Sequence, residues 1–306
     1  MMPISAAARA KISKIGFRVV VYLIVICLSY IILYPFIIKI FGSLRGVEDI
    51  NDYAVQLIPK HYSLVNFTSA MTAMKFPAAF TNSLLLSLLV SLLQVFSAAM
   101  TGYGLARFRF LGRSALYALV LIVLMIPVQT TMTAMFLQFR YFDFFGLFNL
   151  ILGHPLNLID TVVPFALLSV TGFGLKNGLY IYLSMQTFRD LPKELDEASE
   201  VDGAGAIKTF WTVMLPNALP VLITVFLFSF CWQWTDSYYP SLFINKWDLL
   251  PRNIMFVVSS IVNVESMQIS AATNAGMLLM ILPLVLLYVV LQRFFIQGIT
   301  KSGIVG

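Results

Sequence analysis

Apolar residues in this chain come in long unbroken blocks, with neither the period-2 alternation of a surface strand nor the narrow 3.6-residue stripe of a surface helix. Charge-free runs cover Val19–Ile38, Phe76–Ala106, Ser114–Phe139, Thr209–Thr235 and Ser266–Gln292, and a sixth, Thr161–Phe188, is interrupted only by Lys176. About 20 helical residues cross the roughly 30 Å hydrocarbon core of a bilayer. The pattern therefore predicts an all-α integral membrane protein with six transmembrane helices. Arg9, Lys11, Lys14 and Arg18 precede the first run. Its length and the lack of a small-residue cleavage site make it a retained span, not a signal peptide.

Composition supports that reading. Of 306 residues, 59% are hydrophobic and only 11% charged, against about 25% charged in a soluble domain. Mean hydropathy is +0.88. The net charge of +6 is spread too thinly for a basic stripe, so no nucleic-acid partner is expected. It fits membrane orientation instead. With the N-terminus inside, segments 1–18, 107–113, 186–208 and 293–306 hold 12 Lys and Arg in 62 positions, whereas 39–75, 140–160 and 236–265 hold 7 in 88. The positive-inside rule then gives both termini cytoplasmic. Cys27 and Cys231 sit inside apolar runs, which excludes a disulfide framework.

One inner loop stands apart. Thr187–Leu215, followed by Pro216, carries Asp190, Glu194, Asp196, Glu197, Glu200 and Asp202, six of the chain's 14 acids. Asp190 is the expected N-cap and Pro192 fits a first turn. Glu194, Glu197 and Glu200 share one helical face, and Lys193 can pair with Glu197. Gly203 suits a left-handed turn that ends this helix, and Ala204–Leu215 begins a second one. The expected product is a surface helix–turn–helix whose acidic face offers a docking element.

Glu197-Ala198-Ser199, three residues, Gly203, nine residues and Val213-Met214-Leu215-Pro216 resemble the EAA loop of bacterial ABC importer permeases, with Ser199 for Ala and Val213 for Ile. The Asp202-Gly203-Ala204 context and upstream Leu191-Pro192-Lys193-Glu194-Leu195 are similar to the carbohydrate-uptake branch. So are Asn82-Ser83-Leu84, Ala98-Ala99, Tyr103-Gly104-Leu105-Ala106-Arg107 and Gln292-Arg293-Phe294-Phe295. The tail, Gly298-Ile299-Thr300 to Gly306, looks like that of maltose-type second permease subunits.

This resemblance implies a type I importer permease in a bacterial cytoplasmic membrane, with a homologous sister permease. Two ATPase subunits would dock at the loop and supply ATP and Mg chemistry; an extracytoplasmic solute-binding protein would deliver a carbohydrate. Glu194, Glu197, Ala198, Ser199, Glu200, Asp202, Gly203, Ala204, Leu215 and Pro216 are then the coupling residues, and Ile299–Gly306 also reaches the ATPases. The chain divides into an inner N-terminus 1–18, a first helix and outer segment 19–75, a permease domain 76–298 containing loop 187–216, and a tail 299–306. No nucleotide-binding loop, catalytic dyad or metal cluster occurs in the sequence, so neither catalysis nor a bound cofactor is expected. His61 and His154 are isolated in outer loops, where surface roles are expected.

Polar groups inside lipid spans are costly and mark pathways. Lys176, with Asn177 beside it, interrupts the fourth run, and Gly174 and Gly178 loosen it; a lysine snorkelling from an irregular helix end is the competing role. Trp232, Gln233, Trp234, Asp236, Tyr238 and Tyr239 close the fifth, where aromatic faces suit sugar C–H surfaces and the polar groups suit hydroxyls; an interfacial aromatic belt is the competing role. Gln94 and Gln129 complete the candidate path; interhelical bonding is the competing role for both. The outer segment 43–75, with Glu48, Asp49, Asp52, Tyr53 and Tyr62, is the expected contact for the binding protein. The competing functions are an importer of amino acids, peptides or polyamines and an ion-coupled transporter, though no internal repeat supports the latter.

Overall fold

The computed structural model describes residues 6–50, 52, 55, 57–260 and 266–303. Those residues form helices and turns; among them only two isolated antiparallel bridges occur, Arg45 with Tyr62 and Phe142 with Leu156. In order, α1 covers Ala6–Ser43, α2 Val47–Ile50, α3 Val65–Ala73, α4 Phe76–Arg107, α5 Arg113–Met125, α6 Val128–Arg140, α7 Leu147–Leu152 and α8 Val163–Val170. They are followed by α9 Asn177–Asp190, α10 Glu194–Val201, α11 Ala206–Thr209, a π-helical turn at Phe210–Met214, α12 Leu215–Thr235, α13 Tyr238–Phe243, α14 Leu250–Ser260 and α15 Ser266–Gly303.

Four stretches are long and apolar enough to cross a membrane: Lys14–Ser43, Phe76–Arg107, Ala206–Thr235 and Gln268–Phe294. They correspond to predicted spans one, two, five and six, with helices running past the charge-free limits at several ends. The third and fourth spans depart from expectation. Arg113–Met125 and Gln129–Arg140 meet at a 107° bend, where Pro127 removes a backbone donor and holds Ile126 extended (φ −70°, ψ 121°). The fourth run divides into α8 and α9. Gly172 takes φ +85° and Lys176 φ +60°, left-handed values that no helix interior accommodates.

The helices belong to two compact units. One draws on 1–73 and 257–279, the other on 74–256 and 280–306. In the first, Asn66 Nδ2 donates to the carbonyls of Ser43 and Arg45, at 3.0 and 2.8 Å. A Cβ on Gly42 would fall 2.9 Å from Asn274 Nδ2, so that side chain lies directly on the α1 backbone. The Asp49 carboxylate, 2% exposed, accepts from the His61 backbone N–H at 2.7 Å and faces His61 Nδ1 at 2.8 Å. His61 is thus engaged, contrary to an isolated role. His61 protonates above its ordinary range because of the Asp49 hydrogen bond and charge. Burial would raise Asp49, but the His61 and Lys60 hydrogen bonds and the His61 charge together outweigh it, and the carboxyl lies below its ordinary value. Tyr53 lies outside the described residues.

In the second unit α4 is the central helix. Its buried positions include Ser83, Ser87, Ser91, Ser97, Ala98, Ala99 and Gly102, small residues that admit neighbouring backbones closely. A Cβ on Gly102 would sit 2.8 Å from Met185 N on α9, and one on Gly178 of α9 would sit 2.8 Å from Val120 O on α5. Tyr180, Ile181, Met185 and Phe188 of α9 and Met214, Ala218, Leu222 and Val225 of the α12 segment complete this core.

Candidate functional site

Two places in the second unit gather the residues singled out by sequence. The first is the segment between α9 and α12. Proline at 192 disfavours a helical conformation for Leu191, which is extended at φ −67° and ψ 141°. The break therefore falls after Asp190. Asp190 ends α9 and does not cap the next helix; Lys193 occupies that position. The far end closes as expected. Gly203 takes φ +74°, its N–H donates to Glu200 O at 3.0 Å, and Ala204 N–H donates to Ser199 O at 2.9 Å. These two bonds constitute a Schellman motif, the left-handed helix stop that favours glycine.

Glu194, Glu197, Ala198, Glu200, Asp202 and Gly203 are all exposed, Ala204 and Leu215 are half-buried, and Pro216 is exposed in the first turn of α12. Ser199 is buried, its Oγ 2.9 Å from Thr209 Oγ1, which ties α10 to α11. The expected Lys193–Glu197 ion pair does not form among the described residues. Beside the acids stand two exposed aliphatic residues, Val201 at 87% and Ile207 at 77%. The outward surface is therefore acidic and apolar together. Asp196 alone among the helix's acids turns inward, 3.2 Å from Arg107 Nη1. Burial raises its carboxyl above the ordinary range, Arg107 opposes that, and Glu200 and Glu197 reinforce it.

The second place is a cavity of about 640 Å³ where three separate segments meet. The α5–α6 bend contributes Val123 to Pro127, Gln129, Thr131 and Met135; the α8–α9 turn contributes Phe173 to Lys176; the end of α12 contributes Trp232 and Thr235 through Tyr239. Lys176 Nζ lies 5.1 Å above the Trp232 ring, a cation–π distance. Among the described residues it has no carboxylate partner within ion-pair range. Both oxygens of Asp236 are committed. They accept from the N–H groups of Tyr238 and Tyr239, at 2.9 and 3.2 Å, and so cap α13. The cavity wall is largely apolar and aromatic with a few polar groups, the ordinary make-up of a small-molecule site.

Four other candidates do not reach this cavity. Gln94 accepts a short hydrogen bond from Ser229 Oγ and donates to Leu175 O at 3.2 Å, bridging α4, α12 and the α8–α9 turn. Asn177 Nδ2 lies 3.2 Å from Ser97 Oγ and 3.3 Å from Ser169 O. Trp234 is fully buried, donating to Met280 O at 3.0 Å, and Gln233 is buried beside it. Gln94, Asn177 and Trp234 bond helices together, whereas the buried Gln233 amide nitrogen has no hydrogen-bond partner among the described residues. Met135, Phe173 and Thr131 line the cavity and had no signal in the sequence, because nothing local marks which apolar residues of a bent span turn inward. Arg107 was read only as part of a span-ending motif; its inward position is the other omission.

Comparison with known proteins agrees with this architecture. Residues 94–301 match the profile of the binding-protein-dependent transport system inner membrane component family. The inner membrane ABC transporter permease protein YcjP of Escherichia coli (strain K12) is 25% identical over 98% of this chain and 100% of its own. The arabinooligosaccharides transport system permease protein AraQ of Bacillus subtilis (strain 168) is 27% identical, over 95% of this chain and 96% of its own. In fold, the chain resembles a solved bacterial ABC transporter involved in import of the acidic polysaccharide alginate, with a TM-score of 0.73 at 19% identity, covering 96% of this chain and 100% of that one.

Proposed function

The chain belongs to the family of binding-protein-dependent transport system inner membrane components, and on that premise we propose that it is the permease subunit of a carbohydrate importer in the bacterial inner membrane. The observation that carries the reading is the family match across 94–301, which includes the loop with its Gly203 stop and Pro216 in place. The carbohydrate cargo is supported by the arabinooligosaccharide and alginate relatives and by the aromatic walls of the cavity. Trp232 and Tyr238 offer flat faces to sugar C–H surfaces, while Gln129, Thr131 and Lys176 offer hydroxyl partners.

The mechanism follows from the same parts. ATPase subunits, which hold ATP and Mg, seat α10 through its acidic and aliphatic surface. Their closure moves the permease helices as packed bodies and exposes the cavity alternately to the two sides of the membrane. Six crossings with both termini inside, the third made by α5 and α6 and the fourth by α8 and α9, keep the Lys- and Arg-rich segments on the inner face. The outer segment 43–75 then faces a solute-binding protein, and a sister permease completes the pathway. The proposed domain limits are 1–18, 19–75, 76–298 and 299–306, of which 1–5, 51, 53, 54, 56, 261–265 and 304–306 lie outside the described residues.

The test is purification of the chain in detergent with whatever stays bound, followed by reconstitution in liposomes. Recovery of a second permease and an ATPase, with ATP-dependent uptake of an oligosaccharide, is the expected result. Uptake by the lone chain without ATP would overturn the reading, and uptake confined to amino acids, peptides or polyamines would overturn the cargo.

A further inference from the structure

We propose that Arg107 is a positioning residue that fastens the loop helix α10 to the central helix α4, so that the two move as one body. The inference rests on the permease reading above. Arg107 ends α4, and its side chain is only 9% exposed. The guanidinium is divided between one acceptor at the break before Pro192 and one beyond it. Nη1 lies 3.2 Å from Asp196 Oδ2 on α10, and Nη2 donates to Leu191 O at 2.7 Å. One side chain therefore holds both the extended joint at Leu191 and the helix that follows it.

The ring one helical turn earlier works with it. Tyr103 packs on Phe188 at the end of α9 (5.5 Å between centroids), on Phe210 at the start of the π-helical turn (5.1 Å) and on Phe108 just beyond α4 (5.4 Å). A cavity of about 360 Å³ lies beside the joint, lined in part by Tyr103, Arg107, Asp196, Glu200 and Thr209. The loop also meets the core through Leu191 and Leu195, which pack against the Tyr103, Phe188 and Phe210 cluster. Within that contact the guanidinium is the directional tie, and part of a load applied to α10 reaches α4 through it. Lysine does not substitute, because a single ammonium lacks the planar fork that serves two divergent acceptors.

The experiment uses the full complex in proteoliposomes, comparing wild type with Arg107→Lys, Asp196→Asn and the exchange pair Arg107→Asp with Asp196→Arg. Oligosaccharide uptake, ATP hydrolysis and the amount of ATPase co-purifying are measured on the same samples. The expected result is ATPase binding and hydrolysis within about twofold of wild type in Arg107→Lys, with uptake per ATP reduced about tenfold, the scale of a coupling change along a packed contact. Asp196→Asn loses less, because the Leu191 bond persists, and the exchange pair recovers part of the loss. Unchanged uptake per ATP in both single variants overturns the proposal. So does a loss that merely follows ATPase co-purification and is not recovered by the exchange. Wild type without ATP-dependent uptake removes the permease reading itself, and this inference falls with it.

Discussion

The two ends of α9 are finished in opposite ways. At its C-terminal end the chain breaks at Leu191, turns through a short helix and stops at a glycine, all within 25 residues of contiguous sequence (190–214). At its N-terminal end a left-handed Lys176 opens onto a cavity assembled from three segments that span 117 residues of sequence, 123 to 239 inclusive. The first end is a local construction, so residue spacing describes it. The second is a meeting of distant segments, and spacing names its members without sorting them. Function built on a local motif is legible in sequence; function built on convergence needs the packing.

Variants can break or sharpen this contrast. The largest effect is expected from Glu197→Lys, which reverses charge on the exposed face of α10. Uptake should fall by more than about tenfold while membrane insertion is unchanged, the usual scale when a complementary charge meets a like one at an interface. ATPase pull-down from membranes measures it, and normal retention of the ATPase would remove α10 as the docking helix.

Next comes a pair that separates lining residues from bonding ones at the other end. Trp232→Ala should raise KM for uptake roughly tenfold, about 1.4 kcal/mol of lost contact, with thermal stability unchanged. Gln94→Leu should instead lower stability by about 1–3 kcal/mol, because Leu175 O and Ser229 lose their buried partner. Equal stability losses in both would erase the distinction between cavity wall and interhelical bond. At the local end, Gly203→Ala places a Cβ in a left-handed conformation at a cost of about 1 kcal/mol. That change should be seen as a small drop in melting temperature and a larger one in hydrogen-exchange protection of α10.

The smallest effect concerns the outer segment, away from both ends of α9. His61 in the folded chain holds its proton above its ordinary 6.5, so its contribution to stability is complete below that value and is lost as pH rises through the raised one. Asp49 ionises below its ordinary 3.8, so its contribution is complete above 3.8 and is lost as pH falls through the lowered one. Stability should therefore be flat between about pH 4 and 6.5 and decline on both sides. His61→Gln should abolish the alkaline decline, and an unaltered profile in that variant would assign the decline elsewhere.

How much of this the sequence carried depends on the distance between cooperating residues. The four unbroken spans, the Gly203 turn and the exposure of Glu194, Glu197 and Glu200 were all readable, since each depends on neighbours within a turn or two. Cavity membership was half readable. Polarity within an apolar run pointed to Lys176, Gln129 and Trp232, but the same signal pointed to Gln94, which bonds Leu175 and Ser229, and to Asn177, which bonds Ser97 and Ser169. Asp196 and Glu197 are adjacent in sequence and chemically alike, yet one faces Arg107 and the other faces solvent. That difference is one of 100° in helical phase, and an acidic count cannot resolve it.

The π-helical turn at Phe210–Met214 gives the chain one spare residue ahead of α12. A π-turn holds one residue more than an α-turn, and its five residues wind through about the same angle as four α-helical ones. Deleting one residue there would let the turn relax to α geometry and leave Leu222, Val225 and Ser229 facing α4 much as they do now. The same deletion farther along α12, where the winding is regular, would rotate everything after it by about 100° and displace the inward stripe of the helix. The turn is slack that absorbs a one-codon loss; the span beyond it has none.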